Sequence, residues 1–431
     1  MESDKVQVIE SSLVAPREAT PTKGLWLSPI DLAATAGHIP LVFFYSPGAA
    51  FSNVARLKEA MARALVAFYP LAGRLGVEED GRLEISCNGE GALFVVSRCY
   101  LAAQDIDFSK PSPQLRRMFV PRIEPLSLIL AVQVTFLKCG RVVLGVAVHD
   151  SAVDGMSTFH FVQAWSAFAK DGDGAAIELP IHDRALLRAR SPPVVHPDAL
   201  SVLYPRVALC EPSGRPNAVE VFPISRDQLV TLKRLCGGAS TFCSVSALVW
   251  QCAAVARRLP PDAVARLTFP VNIRRRGVRP PLPARYFGKA LVELCTAGAA
   301  REIASEALAS VACRVSRALA RLDDDGELVR SAIDYLELFQ TGSRPVRGSM
   351  LETELRVISW LNLPAYDADF GCGRPRWMSR AESVRGGFVI IMNDGSQEHD
   401  AVRVVMCMEA ANINEFGLLL YASIANHASK L

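Results

Sequence analysis

Val142-Val143-Leu144-Gly145-Val146-Ala147-Val148-His149-Asp150-Ser151-Ala152-Val153-Asp154-Gly155 runs from an unbroken apolar segment into a polar turn. An apolar run of this length, bounded by turn residues, reads as a strand buried on both faces. The next stretch, Gly155–Ala169, puts Phe161, Trp165 and Phe168 at spacings of four and three, one face of an amphipathic helix. Titratable groups where a buried strand ends are held by the scaffold while a cleft exposes them. On spacing alone the segment serves equally well as a turn that caps the helix, with Asp154 or Ser151 accepting backbone N–H bonds.

The flanking sequence repeats the alternation of strand and helix. Val6–Ser12, Leu41–Tyr45, Gly81–Cys87, Ala92–Val96 and Leu128–Leu137 read as strands, the last joined to Arg141–Val148 by a turn at Lys138-Cys139-Gly140. Asn53 stands at an N-cap before Val54, Leu57, Met61, Leu65 and Phe68, which have helical spacing. Beyond residue 215, strands are expected at Val219–Pro223, Thr268–Val271 and Leu355–Leu363, with a hairpin of Gly387–Asn393 and Ala401–Met408. Helices are expected at Arg226–Leu235, Ser244–Ala256, Arg301–Leu322, Leu328–Phe339 and Ile413–His427. Between the two halves the chain is rich in proline and glycine and weakly periodic. The expected division is an N-terminal lobe over 1–170, a crossover over 171–215 and a C-terminal lobe over 216–431, each lobe α/β.

Composition sets outer limits. With 431 residues, 50% of them hydrophobic, the chain is long enough for two or three domains. The balance of 47 basic and 44 acidic residues, +3, disfavours nucleic-acid binding through overall charge. The chain opens polar and acidic with no leader pattern, no apolar run approaches the ~20 residues of a membrane helix, and the 11 cysteines never form Cys-x-x-Cys. A cytosolic location is the expectation. Neither a Gly-x-Ser-x-Gly elbow nor a phosphate-binding Walker loop is present, and Gly371-Cys372-Gly373-Arg374-Pro375 lacks the third glycine of a dinucleotide fingerprint.

The motif resembles the His-x-x-x-Asp-Gly signature of the plant BAHD acyl-CoA-dependent acyltransferases. Asp369-Phe370-Gly371-Cys372-Gly373 is similar to the family's Asp-Phe-Gly-Trp-Gly. Tyr69-Pro70-Leu71-Ala72-Gly73-Arg74-Leu75, His182-Asp183-Arg184, Asn272-Ile273-Arg274-Arg275-Arg276, Tyr286-Phe287-Gly288-Lys289 and Ser359-Trp360 follow in family order, so the resemblance covers nearly the whole chain. It implies an α/β fold of two chloramphenicol-acetyltransferase-like lobes with mixed sheets and a channel between them. It also implies direct acyl transfer without a covalent enzyme intermediate, a histidine taking the proton of the acceptor as it attacks the thioester. No metal or bound organic cofactor is implied. The CoA thioester is a substrate, the partners are small molecules, and the protein is expected to be a monomer.

The chain departs from this pattern at the catalytic position. Four residues before Asp154 stands Asp150, where the resemblance calls for the base, and His149 is its neighbour. Adjacent side chains on a strand point to opposite faces, so Asp150 is expected to face the channel and His149 the core. A free aspartate, pKa ~3.9, is a poor base for an alcohol, and burial raises it by only a few units. Three outcomes stay open. The enzyme can still transfer acyl groups, with Asp150 as a weaker base, with an amine acceptor that needs less help, or with a local twist that brings His149 inward. The fold can bind a ligand or partner without turnover. Or the site can run different chemistry, such as an elimination.

The resemblance assigns further roles. Asp154 holds the motif's geometry by pairing with an arginine, which Asn272-x-Arg274-x-Arg276 offers as Arg274; on the residues alone, Arg274–Arg276 and Arg279 read as a solvated basic loop. Arg276 is a candidate for substrate phosphate. Asp369, Gly371 and Gly373 are structural, since the glycines permit positive φ or close backbone approach, and Cys372 replaces a tryptophan. Lys289 replaces a usual asparagine. Relatives using shikimate or quinate carry an arginine before Asp-Phe-Gly; here Trp360 and Asn362 are the substrate-binding candidates, which implies a neutral alcohol or an amine. Phe269–Arg276 is similar to relatives acylating amines such as putrescine, agmatine or tryptamine, with an aromatic or hydroxycinnamoyl-CoA donor.

Overall fold

Every residue of Val142–His149 is buried, as its unbroken apolar run requires. The protein is known from a computed structural model, which describes residues 5–34, 37–77, 81–197, 199, 203, 215–322, 326–338, 350–383, 385–395 and 401–428. In chain order the first strands are β1 (Val6–Val14), β2 (Leu25–Trp26), β3 (His38–Tyr45), β4 (Arg74–Val77) and β5 (Leu83–Ser86). They continue with β6 (Ala92–Cys99), β7 (Leu130–Leu137), β8 (Val142–His149), β9 (Asn217–Ile224) and β10 (Val264–Asn272). The last five are β11 (Leu291–Ala299), β12 (Glu354–Ser359), β13 (Trp377–Arg380), β14 (Phe388–Asn393) and β15 (Val402–Glu409).

The chain divides into two units. The first comprises Met1–Arg188, Pro283–Ala290 and Leu363–Glu382. Its main sheet has the order β1-β6-β7-β8-β3-β13. β6 and β7 are parallel, whereas β8 is antiparallel to both β7 and β3, so the sheet is mixed. Adjacent residues of β3 show how both faces are covered. Val42 packs in one apolar cluster with Leu115 and Phe119 of the helix Pro113–Phe119. Phe43 meets Phe159 of the helix Gly155–Asp171, with ring centroids 6.3 Å apart. Because neighbours on a strand point oppositely, the two helices lie on opposite faces, and β8 between them has no wet side to encode. The helix Val54–Ala67 starts at Asn53, whose Oδ1 accepts from Arg56 N at 3.0 Å.

The second unit comprises Ala189–Leu282, Leu291–Asn362 and Ser383–Leu431. Its sheet order is β11-β10-β12-β14-β15-β9, with β12 parallel to β10 and β14 and the other pairs antiparallel. The helix Arg226–Leu235 has the expected bounds, and Thr241–Ala256 begins three residues before the expected Ser244.

Several expectations are corrected. Arg301–Leu322 is two helices, Ala300–Ser305 and Leu308–Ala320. The break is stabilised by Gln251 Nε2, which donates to the carbonyls of Ile303 and Glu306, both at 2.9 Å. The strand expected over Leu355–Leu363 stops at Ser359, ahead of Asn362 in the left-handed region at φ 63°. β2, β4, β11 and β13 form where the sequence pattern gives no strand. Residues 283–290 and 363–382 belong with the first unit. Backbone bonds explain both segments. Ile181 N donates to Arg285 O at 2.9 Å and Phe287 N to Ile181 O at 2.8 Å, while β13 pairs along β3 from Leu41 to Phe44.

At Gly145 β8 lies hard against the end of its covering helix: a Cβ there would lie 1.7 Å from Phe119 O. Gly145→Ala is therefore expected to destabilise the first unit by about 3 kcal/mol, seen as a lower urea midpoint.

Candidate active site

The motif is built where β8 gives way to a helix. Ala152 N donates to His149 O at 2.9 Å and closes the turn. Asp154 is the N-cap of Gly155–Asp171, its Oδ1 accepting from Ser157 N at 3.0 Å. The capping role that the bare spacing allowed is real, and it is not the whole role. Oδ2 of the same carboxylate accepts from Ala290 N at 3.1 Å. Ser157 Oγ donates to Gly288 O at 3.0 Å and accepts from Gly288 N at 3.2 Å. The helix start thus holds residues 288–290 as well as its own first turn.

Asp31 completes this clamp. Its Oδ1 accepts from Lys289 N at 3.0 Å. Its Oδ2 accepts from Ser28 N at 2.8 Å and Ser28 Oγ at 2.7 Å, a reciprocal cap on the short helix Pro29–Leu32. Arg184 Nη1 lies 3.1 Å from Oδ2, with both side chains essentially inaccessible, and Arg184 Nη2 donates to Ala152 O at 2.6 Å. One buried ion pair therefore ties residues 28–31, the motif turn and Lys289 together. The sequence reading did not single out Asp31, although Ser28-Pro29-Ile30-Asp31 carries the signature of a capping box with proline at the first helical position.

His149 and Asp150 occupy different surroundings. The His149 ring is buried, edge-on to His38 at 5.0 Å, its partner across the β3–β8 register. Ser151 N lies 3.2 Å from its Nδ1 and Gly37 N lies 3.3 Å from its Nε2. A neutral imidazole can accept one such bond and an imidazolium none. Burial, then His38 and Lys289, press its pKa down to about 4 against the opposing pull of Asp150. Asp150 keeps some exposure, and its Oδ2 lies 3.0 Å from Lys289 Nζ.

The remaining candidates separate by unit. In the first, Asp369 Oδ1 accepts from Gly371 N and Gly373 N, both at 2.8 Å, and Oδ2 from Lys170 Nζ at 2.9 Å. Burial alone would raise this carboxyl, but those bonds hold it below the usual range. Gly371 and Gly373 have φ of 98° and 88°, which only glycine adopts without strain. Phe370 packs on Trp165 with ring centroids 4.8 Å apart. In the second unit Arg274 is buried, its backbone N donating to Asn272 Oδ1 at 3.0 Å, and Arg276 is exposed. Trp360 is half-buried and its N donates to Ile391 O at 2.7 Å. Asn362 lines a cavity of about 390 Å³ with Arg226, Leu229, Lys233, Thr241 and Asn393.

The model of the Transferase family, the BAHD acyl-CoA-dependent acyltransferases, matches residues 4–418. The chain belongs to this family. A BAHD relative, putrescine hydroxycinnamoyltransferase 1 of Oryza sativa subsp. japonica, is 40% identical over 97% of this chain and 99% of its own length. A hydroxycinnamoyltransferase of Narcissus pseudonarcissus is 36% identical over 96% and 99%. The crystal structure of vinorine synthase has the same fold, with a TM-score of 0.77 at 22% identity over 97% of this chain and 98% of that one. As a BAHD member the protein is an acyl-CoA-dependent acyltransferase with two sheet-rich α/β units.

Two outcomes follow from the clamp and from the neutral ring. Arg184→Ala leaves Asp31 charged and buried, and is expected to cost about 3–5 kcal/mol in urea unfolding. The unfolded chain protonates residue 149 below its ordinary pKa of 6.5 while the folded one resists down to about 4. Stability is therefore expected to fall as the pH drops through that window, by roughly 3 kcal/mol in full. His149→Gln should flatten that part of the profile, whereas His182, also held down to about 4, should go on contributing.

Proposed function

We propose that this acyltransferase moves an aromatic or hydroxycinnamoyl group from a CoA thioester to an amine or a neutral alcohol, with Asp150 as the proton acceptor. The observation that carries the reading is the contrast between the two motif neighbours. The carboxylate of Asp150 keeps some exposure beside Lys289, while both nitrogens of His149 face backbone N–H groups inside the first unit. The acceptor's nitrogen or oxygen bonds to the carbonyl carbon, the C–S bond breaks, and the acceptor's proton passes by way of Asp150 to the departing CoA thiolate. No bond to the enzyme forms. The rice relative named for putrescine supports an amine acceptor.

The cavity in the second unit suits the donor. Arg226 and Lys233 provide cations for phosphates, Leu229 and Val230 an apolar wall, and Thr241, Asn362 and Asn393 hydrogen-bonding groups. Arg276 adds an exposed guanidinium for the same charge. We read the enzyme as a cytosolic monomer whose partners are its two small substrates. Free cysteines support a reducing compartment, and among the described residues no helix is long and apolar enough to cross a membrane.

The test is release of free thiol from p-coumaroyl-CoA in the presence of a panel of amines. Turnover is expected, and Asp150→Ala should lower kcat by about 100-fold or more. Thiol release no faster than in that variant would remove Asp150 as the proton acceptor. Replacing Arg226 and Lys233 together by alanine is expected to raise KM for the thioester roughly tenfold with kcat kept.

A further inference from the structure

Lys289 is held more firmly than a lysine on a loop needs to be. Three successive backbone N–H groups, those of Gly288, Lys289 and Ala290, each donate to a buried side chain: Ser157 Oγ at 3.2 Å, Asp31 Oδ1 at 3.0 Å and Asp154 Oδ2 at 3.1 Å. The side chain that this clamp carries is only 13% exposed, and it ends 3.0 Å from the Asp150 carboxylate. His149, kept neutral, feels both charges of this pair, and His38 lies behind it. The ammonium is therefore a fixed part of the site, and it favours the carboxylate form of Asp150 over the acid.

From this geometry we infer that Lys289 is a specificity-determining residue, which reserves the Asp150 site for amine acceptors and against hydroxyl acceptors. The inference rests on the acyl transfer proposed above. A neutral amine attacks the thioester carbonyl with its own lone pair. The C–N bond forms first, and the adduct then carries an acidic N–H proton beside an oxyanion. A carboxylate held ionised by a fixed cation can take that proton, after which the C–S bond breaks and the thiolate leaves with the proton as CoA thiol. A hydroxyl must lose its proton as it attacks, and a carboxylate stabilised by an ammonium is too weak a base for that step. The same pair that spares the amine route closes the alcohol route.

The experiment compares kcat/KM for putrescine and for the diol of the same carbon chain, with p-coumaroyl-CoA as donor. The wild-type protein is expected to favour the diamine by about 100-fold or more. Lys289→Arg keeps a cation and should retain that ratio, while Lys289→Met should lower it by roughly tenfold through faster acylation of the diol. A second variant, Asp150→His combined with Lys289→Asn, supplies an imidazole without the adjoining cation and should acylate the diol faster still. A loss that falls equally on both acceptors in Lys289→Met and leaves the double variant's ratio unmoved would reduce Lys289 to scaffolding and overturn the inference, as would a wild type that prefers the diol. A wild-type protein that binds the thioester but acylates neither acceptor would overturn the transfer reading, and the inference with it.

Discussion

The ion pair between Asp31 and Arg184 is the constraint on which the motif's geometry rests. Both charges are withdrawn from water, and the cost of burying them is offset by the ion pair and by the hydrogen bonds around it. The partners of Asp31 and of Arg184 Nη2 are drawn from four separate stretches of chain. Ser28 supplies two donors to Asp31, Lys289 a third through its backbone, and Arg184 reaches Ala152 O in the motif turn. The arrangement leaves little freedom: a shift of the motif turn or of Lys289 would strand a buried charge or its hydrogen-bonding partner.

Chemistry follows from what that frame delivers. It brings an ammonium to the carboxylate at 150 and leaves the imidazole at 149 among backbone donors. In a transferase without a covalent intermediate, proton handling is one of few tasks left to side chains, the other being stabilisation of the oxyanion. On the proposed reading, a paired carboxylate at that position bears on which acceptors the site can serve.

The Asp369 loop shows the opposite case, a motif whose work is mechanical. One carboxylate oxygen accepts two backbone N–H groups across glycines of positive φ, and Phe370 between them anchors the loop on Trp165. Cys372 stands where a large aromatic is usual, yet neither the cap nor the anchor uses that side chain. The two glycines were readable as a tight loop because glycine alone takes a positive φ without strain.

Local pattern by itself determined the buried strand Val142–His149, the capped helices at Asn53 and Asp154 and most of the other elements, because these depend on periodicity and on side chains within a few residues. Family order along the chain carried the two-lobed α/β architecture. Three features were decided by the tertiary structure alone. The four-residue β13 is a strand only because β3 offers it a ladder. The helix expected over Arg301–Leu322 is broken where Gln251, distant in sequence, accommodates the carbonyls of Ile303 and Glu306. And Lys289, which the sequence marks only as standing where an asparagine is usual, becomes the partner of Asp150 through an acid at position 31 that lies more than half the chain away. Periodicity records which face of an element is apolar; it holds no record of which remote side chain satisfies a buried charge, and only the folded backbone settles that.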